Sequence, residues 1–308
     1  LMWYNGEIAI ARAAAAAGIP YTLSTVSLSS IEQVAQEAGG RLWFQLYFSA
    51  DPAISDGMIE RAEASGYEAL VLTVDTIGSP NREYNLHNGF GVPVSFNRRN
   101  VADGLLHPRW LAGVFLKQVM LHGMPRFANF PRDGSRLSSR RAGDTMAKKM
   151  AVSLDDLRRL RRKWQGPLIV KGVLRAEDAV AFVDCGADAI IVSNHGARNL
   201  DSVMAPIDVL PEIAGRVGKR AEIFVDSGFR RGSDVVKALS LGARMVMLGR
   251  APLYGAAVAG EAGATRVLDL MRSEIDRVLT FVGCPSVCDL EPGFLQPGTY
   301  PVAPPARP

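Results

Sequence analysis

The stretch SNHGAR, residues 193–198, follows the apolar run Ala189–Val192 and sets a histidine and an arginine three positions apart with small residues between them. It is one of a series. Apolar runs end in Ser24, in Gln45 and Tyr47, in Thr73 and Asp75, in Lys171, in Ser193 and His195, in Asp226, and in Gly249 and Arg250. Singly, each has a bland explanation: a histidine after a strand more often caps or fills a core, and a lysine or aspartate there more often pairs on the surface. Donors, acceptors and charges at nearly every strand end point instead to groups converging on one ligand. Two of the turns have the chemistry of an anion site. DSGFRRGSD, 226–234, follows one apolar run and opens a helix, and LGR, 248–250, follows the next. Glycine lets backbone N–H groups approach a phosphate, a helix N-terminus favours negative charge, and arginine supplies forked donors.

The elements that must carry these residues alternate. Strands are predicted over 20–24, 42–47, 69–75, 167–171, 189–193, 222–226 and 245–249. Helices are predicted over the alanine-rich run ended by Gly18 and Pro20, then 29–37, 52–65, 153–164, 176–184, 206–215, 232–240 and about 252–282, with a long irregular stretch at about 76–150. Strands apolar on both faces and separated by helices indicate a parallel sheet. An open doubly wound sheet and a (β/α)8 barrel both fit the alternation. The barrel fits better, because its strand ends meet at one mouth.

Composition excludes several classes. The chain has 308 residues, 48% of them hydrophobic, and a net charge of +4, which is not the balance of a nucleic-acid binder. Cys185, Cys284 and Cys288 are too few for a disulfide framework, and CPSVC lacks the second ligand pair of a zinc site, so no metal is expected. They read as reduced thiols of a cytoplasmic protein. No signal peptide or spanning segment is visible.

Taken together, VKG (170–172), SNHGAR, DSGFRRG (226–232) and LGR resemble the FMN-dependent 2-hydroxyacid dehydrogenase and oxidase family, from the first residues to about 290. LHNGF (86–90), LHPRW (106–110) and HGMPRFANF (122–130) look most like its membrane-associated, (S)-mandelate-oxidising branch. The resemblance implies FMN as cofactor and oxidation of an L-2-hydroxy acid to the 2-oxo acid. It implies His195 as the base, a task that suits an imidazole near neutral pH, and Asp75 as its carboxylate partner. Arg82 and Arg198 would hold the substrate carboxylate, which paired guanidinium forks do better than lysines, and Tyr47 would hydrogen-bond the substrate. Lys171 would lie beside the flavin pyrimidine ring. Ser24, Gln45, Thr73 and Ser193 would contact the flavin, Asp226 the ribityl chain, and Arg230, Gly249 and Arg250 the phosphate, with Ser227 and Gly228 also binding the cofactor.

The family usually has two glycines between that histidine and arginine; here the second is Ala197. If the position needs a positive φ, its methyl costs about 1 kcal/mol or more. The family also has a segment and a strand ahead of the point where this sequence starts. The expected fold is therefore a (β/α)8 TIM barrel over 1–290 lacking its N-terminal segment and first strand, with a long insertion at about 76–150 and a proline-rich tail over 291–308. The expected partners are a small 2-hydroxy acid, a membrane quinone as electron acceptor and copies of the same chain, a tetramer by resemblance. Trp110, Phe115, Leu116, Met120 and Leu121 are flanked by arginines and lysines, which suits a segment lying in a membrane interface, peripheral on the inner face of the cytoplasmic membrane. The alternatives are an L-lactate dehydrogenase or glycolate-type oxidase within the family, and, outside it, a phosphate-binding barrel isomerase or an inactive remnant.

Overall fold

The computed structural model describes residues 1–78, 80–94, 96–131, 136–137 and 151–296. Much of the charge-rich part of the long insertion, including Arg132, Asp133, Arg140, Arg141, Asp144, Lys148 and Lys149, and the proline-rich end of the tail lie outside the described residues. The chain divides into two compact units: Leu1–Leu70 with Thr76–Ala151 and Pro252–Arg266, and Val71–Asp75 with Val152–Ala251 and Val267–Pro308.

In the first unit, α1 (Gly6–Ala16) leads into β1 (Tyr21–Ser24), α2 (Ile31–Ala38), β2 (Leu42–Leu46) and α3 (Pro52–Ala64). Local chemistry sets these boundaries. Ser30 caps α2 by accepting from Gln33 N–H, Gly39 ends it with φ of 67°, and Asp51 followed by Pro52 opens α3. Arg61 of α3 grips Glu32 of α2 through Nε and Nη2 at 2.6 and 2.9 Å and donates from Nη1 to Asn129 O, which ties the two helices to the insertion. β1 and β2 run parallel, with Ser24 opposite Gln45. The region expected to be irregular contains helices: α4 (Glu83–His87), α5 (Arg98–Leu106) and a continuous helical run over 108–122 whose middle, Leu111–Leu116, is π-helical. The Asn97 cap and Pro108 at a first helical position start the last two, signals that the charge-rich sequence around them obscures.

β3 (Ala69–Thr73) begins in the first unit and ends in the second. The second unit continues with α6 (Leu154–Lys163), β4 (Leu168–Val173), α7 (Ala176–Asp184), β5 (Ala189–Val192), α8 (Pro206–Val217), β6 (Glu222–Val225), α9 (Gly232–Ser240) and β7 (Met245–Val246), and α10 (Arg250–Val282) belongs to it except for Pro252–Arg266, which is part of the first unit. A Ser153–Asp156 capping box opens α6, with acidic residues in its first turn and basic residues in its last, as the helix dipole favours. β4 to β7 are parallel neighbours in sequence. The sheet order as a whole follows the chain from β1 to β7. A doubly wound sheet would reverse at a switch point; this α/β order is that of a barrel wall. β2, β3 and β5 are buried along their whole length, so both of their faces are covered.

Candidate active site

In the second unit the ends of β3, β4, β5 and β6 bring together most of the residues singled out by type. Lys171 sits in β4 just before a slip in register against β5, at Gly172, whose φ is 103°. Such a bulge re-aims the residue beside it. Lys171 Nζ donates to Ser193 Oγ at 2.9 Å and lies 3.2 Å from Asp226 Oδ2, with both charged side chains largely buried. Ser193 Oγ in turn accepts from His195 N–H at 3.0 Å. Ser227 Oγ donates to Asp226 Oδ1 at 2.7 Å and accepts from Gly196 N–H at 2.9 Å. One network therefore joins the lysine–aspartate pair to the loop that carries His195.

That loop is unusual in its backbone. His195, Gly196 and Ala197 all have positive φ, at 57°, 66° and 58°. For a residue with a Cβ the left-handed region costs about 1–2 kcal/mol. Asn194 offsets part of this by accepting from Ala197 N–H at 3.1 Å, and Arg250 Nη2 donates to Gly196 O at 3.2 Å. The result aims the His195 ring at Asp75: Nδ1 lies 3.0 Å from Oδ1 and 3.2 Å from Oδ2. Asp75 is seated over Gly172, where a Cβ would stand 2.6 Å from its Cβ and Cγ. Arg198 is exposed at the end of the loop.

The two candidate anion turns differ. The start of α9 is already filled by the chain's own carboxylates: Asp234 Oδ2 accepts from the N–H groups of Arg230 and Arg231, and Glu274 accepts from Gly232 N–H and Arg231 Nη1. Among the described residues no side chain caps the start of α10, where Gly249 precedes Arg250. Gly228, at φ of 86°, has open space where a Cβ would be, and Arg230 is exposed beside it. Gly249 therefore leaves the start of α10 without a side-chain cap, and Arg230 and Arg250 are both exposed.

The first unit holds Ser24, Gln45, Tyr47 and Arg82. Ser24 Oγ donates to Gln45 Oε1 at 3.2 Å, as does Thr25 N–H at 3.3 Å, and Tyr47 N–H donates to Thr25 Oγ1 at 3.0 Å. Arg82 is half-buried at the residue before α4. Thr73 is buried at the end of β3 in the second unit. Thr25, Gly172 and Asn199 belong to these clusters and were not singled out by sequence. Only Gly172 carried a signal, as the glycine of VKG.

The family model described as FMN-dependent dehydrogenase matches residues 1–297. Among curated proteins, the chain is 46% identical over 297 residues to (S)-mandelate dehydrogenase of Pseudomonas putida, covering 96% of this chain and 73% of that one. It is 38% identical over 295 residues to a putative L-lactate dehydrogenase of Mycobacterium tuberculosis, covering 95% and 69%. It is 38% identical over 297 residues to an L-lactate oxidase of Nostoc, covering 95% and 75%. Among solved structures, that of the monotopic membrane protein (S)-mandelate dehydrogenase superposes with a TM-score of 0.89 at 45% identity, covering 96% of this chain and 77% of that one.

Proposed function

The chain belongs to the FMN-dependent dehydrogenase family, and on that premise we propose that it oxidises an L-2-hydroxy acid of the (S)-mandelate type, with His195 as the base. FMN is the cofactor, and FMN-dependent 2-hydroxy acid oxidation is the chemistry of the family. The observation that carries the assignment of the base is His195, on the same loop as Arg198, paired with Asp75 at the end of β3 and networked to Lys171 and Asp226, while the 46% identity to (S)-mandelate dehydrogenase supports the substrate type.

The residues present fit FMN: an uncapped helix start at Gly249–Arg250 for its phosphate, Asp226 and Ser227 for its polar chain, and Lys171 for its ring. When bound, the flavin accepts the two electrons released as the carbinol becomes a ketone. The protein does the rest. Asp75 fixes the imidazole through Nδ1, which leaves Nε2 to take the proton, and its charge stabilises the imidazolium that forms. Arg198 holds the substrate carboxylate by forked donors, and the family resemblance is what assigns Arg82 and Tyr47 to the substrate. Lys171 supplies the positive charge that favours the reduced cofactor. Anaerobic mixing of holoprotein with (S)-mandelate, L-lactate and glycolate, followed at the flavin band, tests this reading. Bleaching fastest with (S)-mandelate supports it. Fastest bleaching with L-lactate transfers the assignment to the second reading, which the lactate-named relatives favour. No bleaching with any of them refutes both.

Among the described residues no helix is long and apolar enough to cross a membrane. Leu105, Leu106, Met120 and Leu121 are nevertheless strongly exposed on α5 and the 108–122 run, beside Arg98, Arg99, Arg109 and Lys117. Phe115 is half-buried between Phe96 and Trp110, so it stiffens the segment rather than facing outward. Such a face suits the cytoplasmic surface of an anionic membrane, with a quinone there as terminal acceptor. The solved relative described as monotopic supports this placement. Co-sedimentation with anionic liposomes at low salt should occur and should fall when 98–130 is replaced by a short polar loop; protein that stays in the supernatant overturns it. The family resemblance further suggests a homotetramer, which mass measurement in solution tests.

A further inference from the structure

Asn199 is flanked by exposed residues, Arg198 and Leu200, yet it is turned inward and half-buried. Its Nδ2 donates to the main-chain carbonyl of Asp75 at 2.9 Å. Among the described contacts, three besides the His195 ring bear on where Asp75 stands. Val74 N–H, just before it, is bonded to Lys171 O at 2.9 Å. Gly172 provides the floor under its side chain. The third contact is Asn199, and it alone of these comes from the loop that carries His195. The two loops are therefore joined both through the imidazole and carboxylate and through the carboxamide and the Asp75 carbonyl.

We propose that Asn199 is a positioning residue for the reaction: it fixes the spacing between the His195 loop and Asp75 so that the carboxylate meets Nδ1 without help from substrate. This rests on the roles proposed above for His195 and Asp75. Asn199 acts through Asp75 and takes no proton itself. The task needs a donor of this length. An aspartate here would offer only acceptors to a carbonyl, and a leucine of the same shape would leave that carbonyl without its donor.

The test is a double-mutant cycle on the FMN-loaded protein, using (S)-mandelate or L-lactate, whichever bleaches the flavin faster. Asn199→Leu should slow bleaching by about tenfold or more, below the hundredfold associated with a full 1 Å misplacement, with substrate affinity and flavin content little changed. In an Asp75→Asn background the same substitution should slow it by less than about twofold, because coupled positions are not additive. Equal slowing in both backgrounds, or none in the wild-type background, overturns the proposal. Asp75→Asn without effect overturns the His195–Asp75 reading itself, and this proposal with it. Hydrogen exchange on flavin-free protein keeps the test independent of turnover. The amides following Asp75 should exchange faster in Asn199→Leu, and in Asn199→Ser if the leucine variant does not fold; unchanged exchange in the folded variant counts against the proposal.

Discussion

Replacing Gly172 by alanine should separate the carboxylate from the imidazole without touching either. A Cβ at 172 would stand 2.6 Å from Asp75 Cβ and Cγ and 3.0 Å from Asp75 N, whereas ordinary contact begins at 3.4 Å. Asp75 must therefore retreat by about 0.8 Å, because the obstructing atoms include its backbone and not only a flexible tip. A shift of that size away from Nδ1, now 3.0 Å from Oδ1, takes the pair out of hydrogen-bonding range. The φ of 103° adds backbone strain of about 1–3 kcal/mol, and overpacking adds a similar amount. A displacement near 1 Å in a catalytic constellation costs about a hundredfold in rate. Gly172→Ala is thus expected to lose about 2–6 kcal/mol in denaturant titration and to slow anaerobic flavin bleaching by between about ten- and a hundredfold. A folded variant that bleaches within about twofold of the parent would refute the argument that Gly172 is the seat of Asp75.

Ala197→Gly should stabilise the protein by about 0.5–1 kcal/mol, since relief of a Cβ held at φ of 58° outweighs the extra entropy that glycine gives the unfolded chain; an unchanged or lower denaturation midpoint would contradict this. Arg250→Ala should reduce the flavin retained through purification while far-ultraviolet circular dichroism stays unchanged, because the substitution removes a guanidinium from the start of α10 and its bond to Gly196 O; full flavin occupancy would count against the cradle. Glu32 has its carboxyl lowered from 4.5 to about 2, chiefly by the hydrogen-bonded Arg61 guanidinium. A depressed acid stabilises the fold above its unfolded value and loses that contribution as pH falls through its folded value. Glu32→Gln should therefore lower the urea midpoint at pH 7, and the gap from the parent should close as pH falls from 4.5 toward about 2; a gap that is constant with pH would show the ion pair to be irrelevant.

Much of the scaffold is legible in the residues themselves. β2, β3 and β5 are runs of apolar side chains, and Ser30, Asp51 and Ser153 are caps readable by type and position. β7 is shorter than its apolar run suggests, only Met245–Val246, because the chain turns toward the start of α10 at Gly249. The helices of the insertion escaped because their faces are not amphipathic in the usual sense: α5 buries no residue. In the site, residue types mark Lys171, Asp226 and His195, but not how they are joined. That Ser227 would take φ of 78° and bond both Asp226 and Gly196 depends on the approach of loops 31 residues apart. Nor does the sequence show that Asp234 and Glu274 fill the start of α9, whereas Gly249 gives the start of α10 no side-chain cap. The possible cost of Ala197 was readable from its departure from a glycine pair, and its positive φ bears that out.

If His195, held by Asp75, takes the proton as substrate is oxidised, loss of the imidazole must slow flavin reduction without releasing the flavin. Rapid anaerobic mixing of the FMN-loaded His195→Ala variant with (S)-mandelate tests it most directly, with L-lactate used if the parent prefers it. The variant should keep its flavin but bleach at least about a hundredfold more slowly than the parent. Bleaching at the parental rate would contradict it.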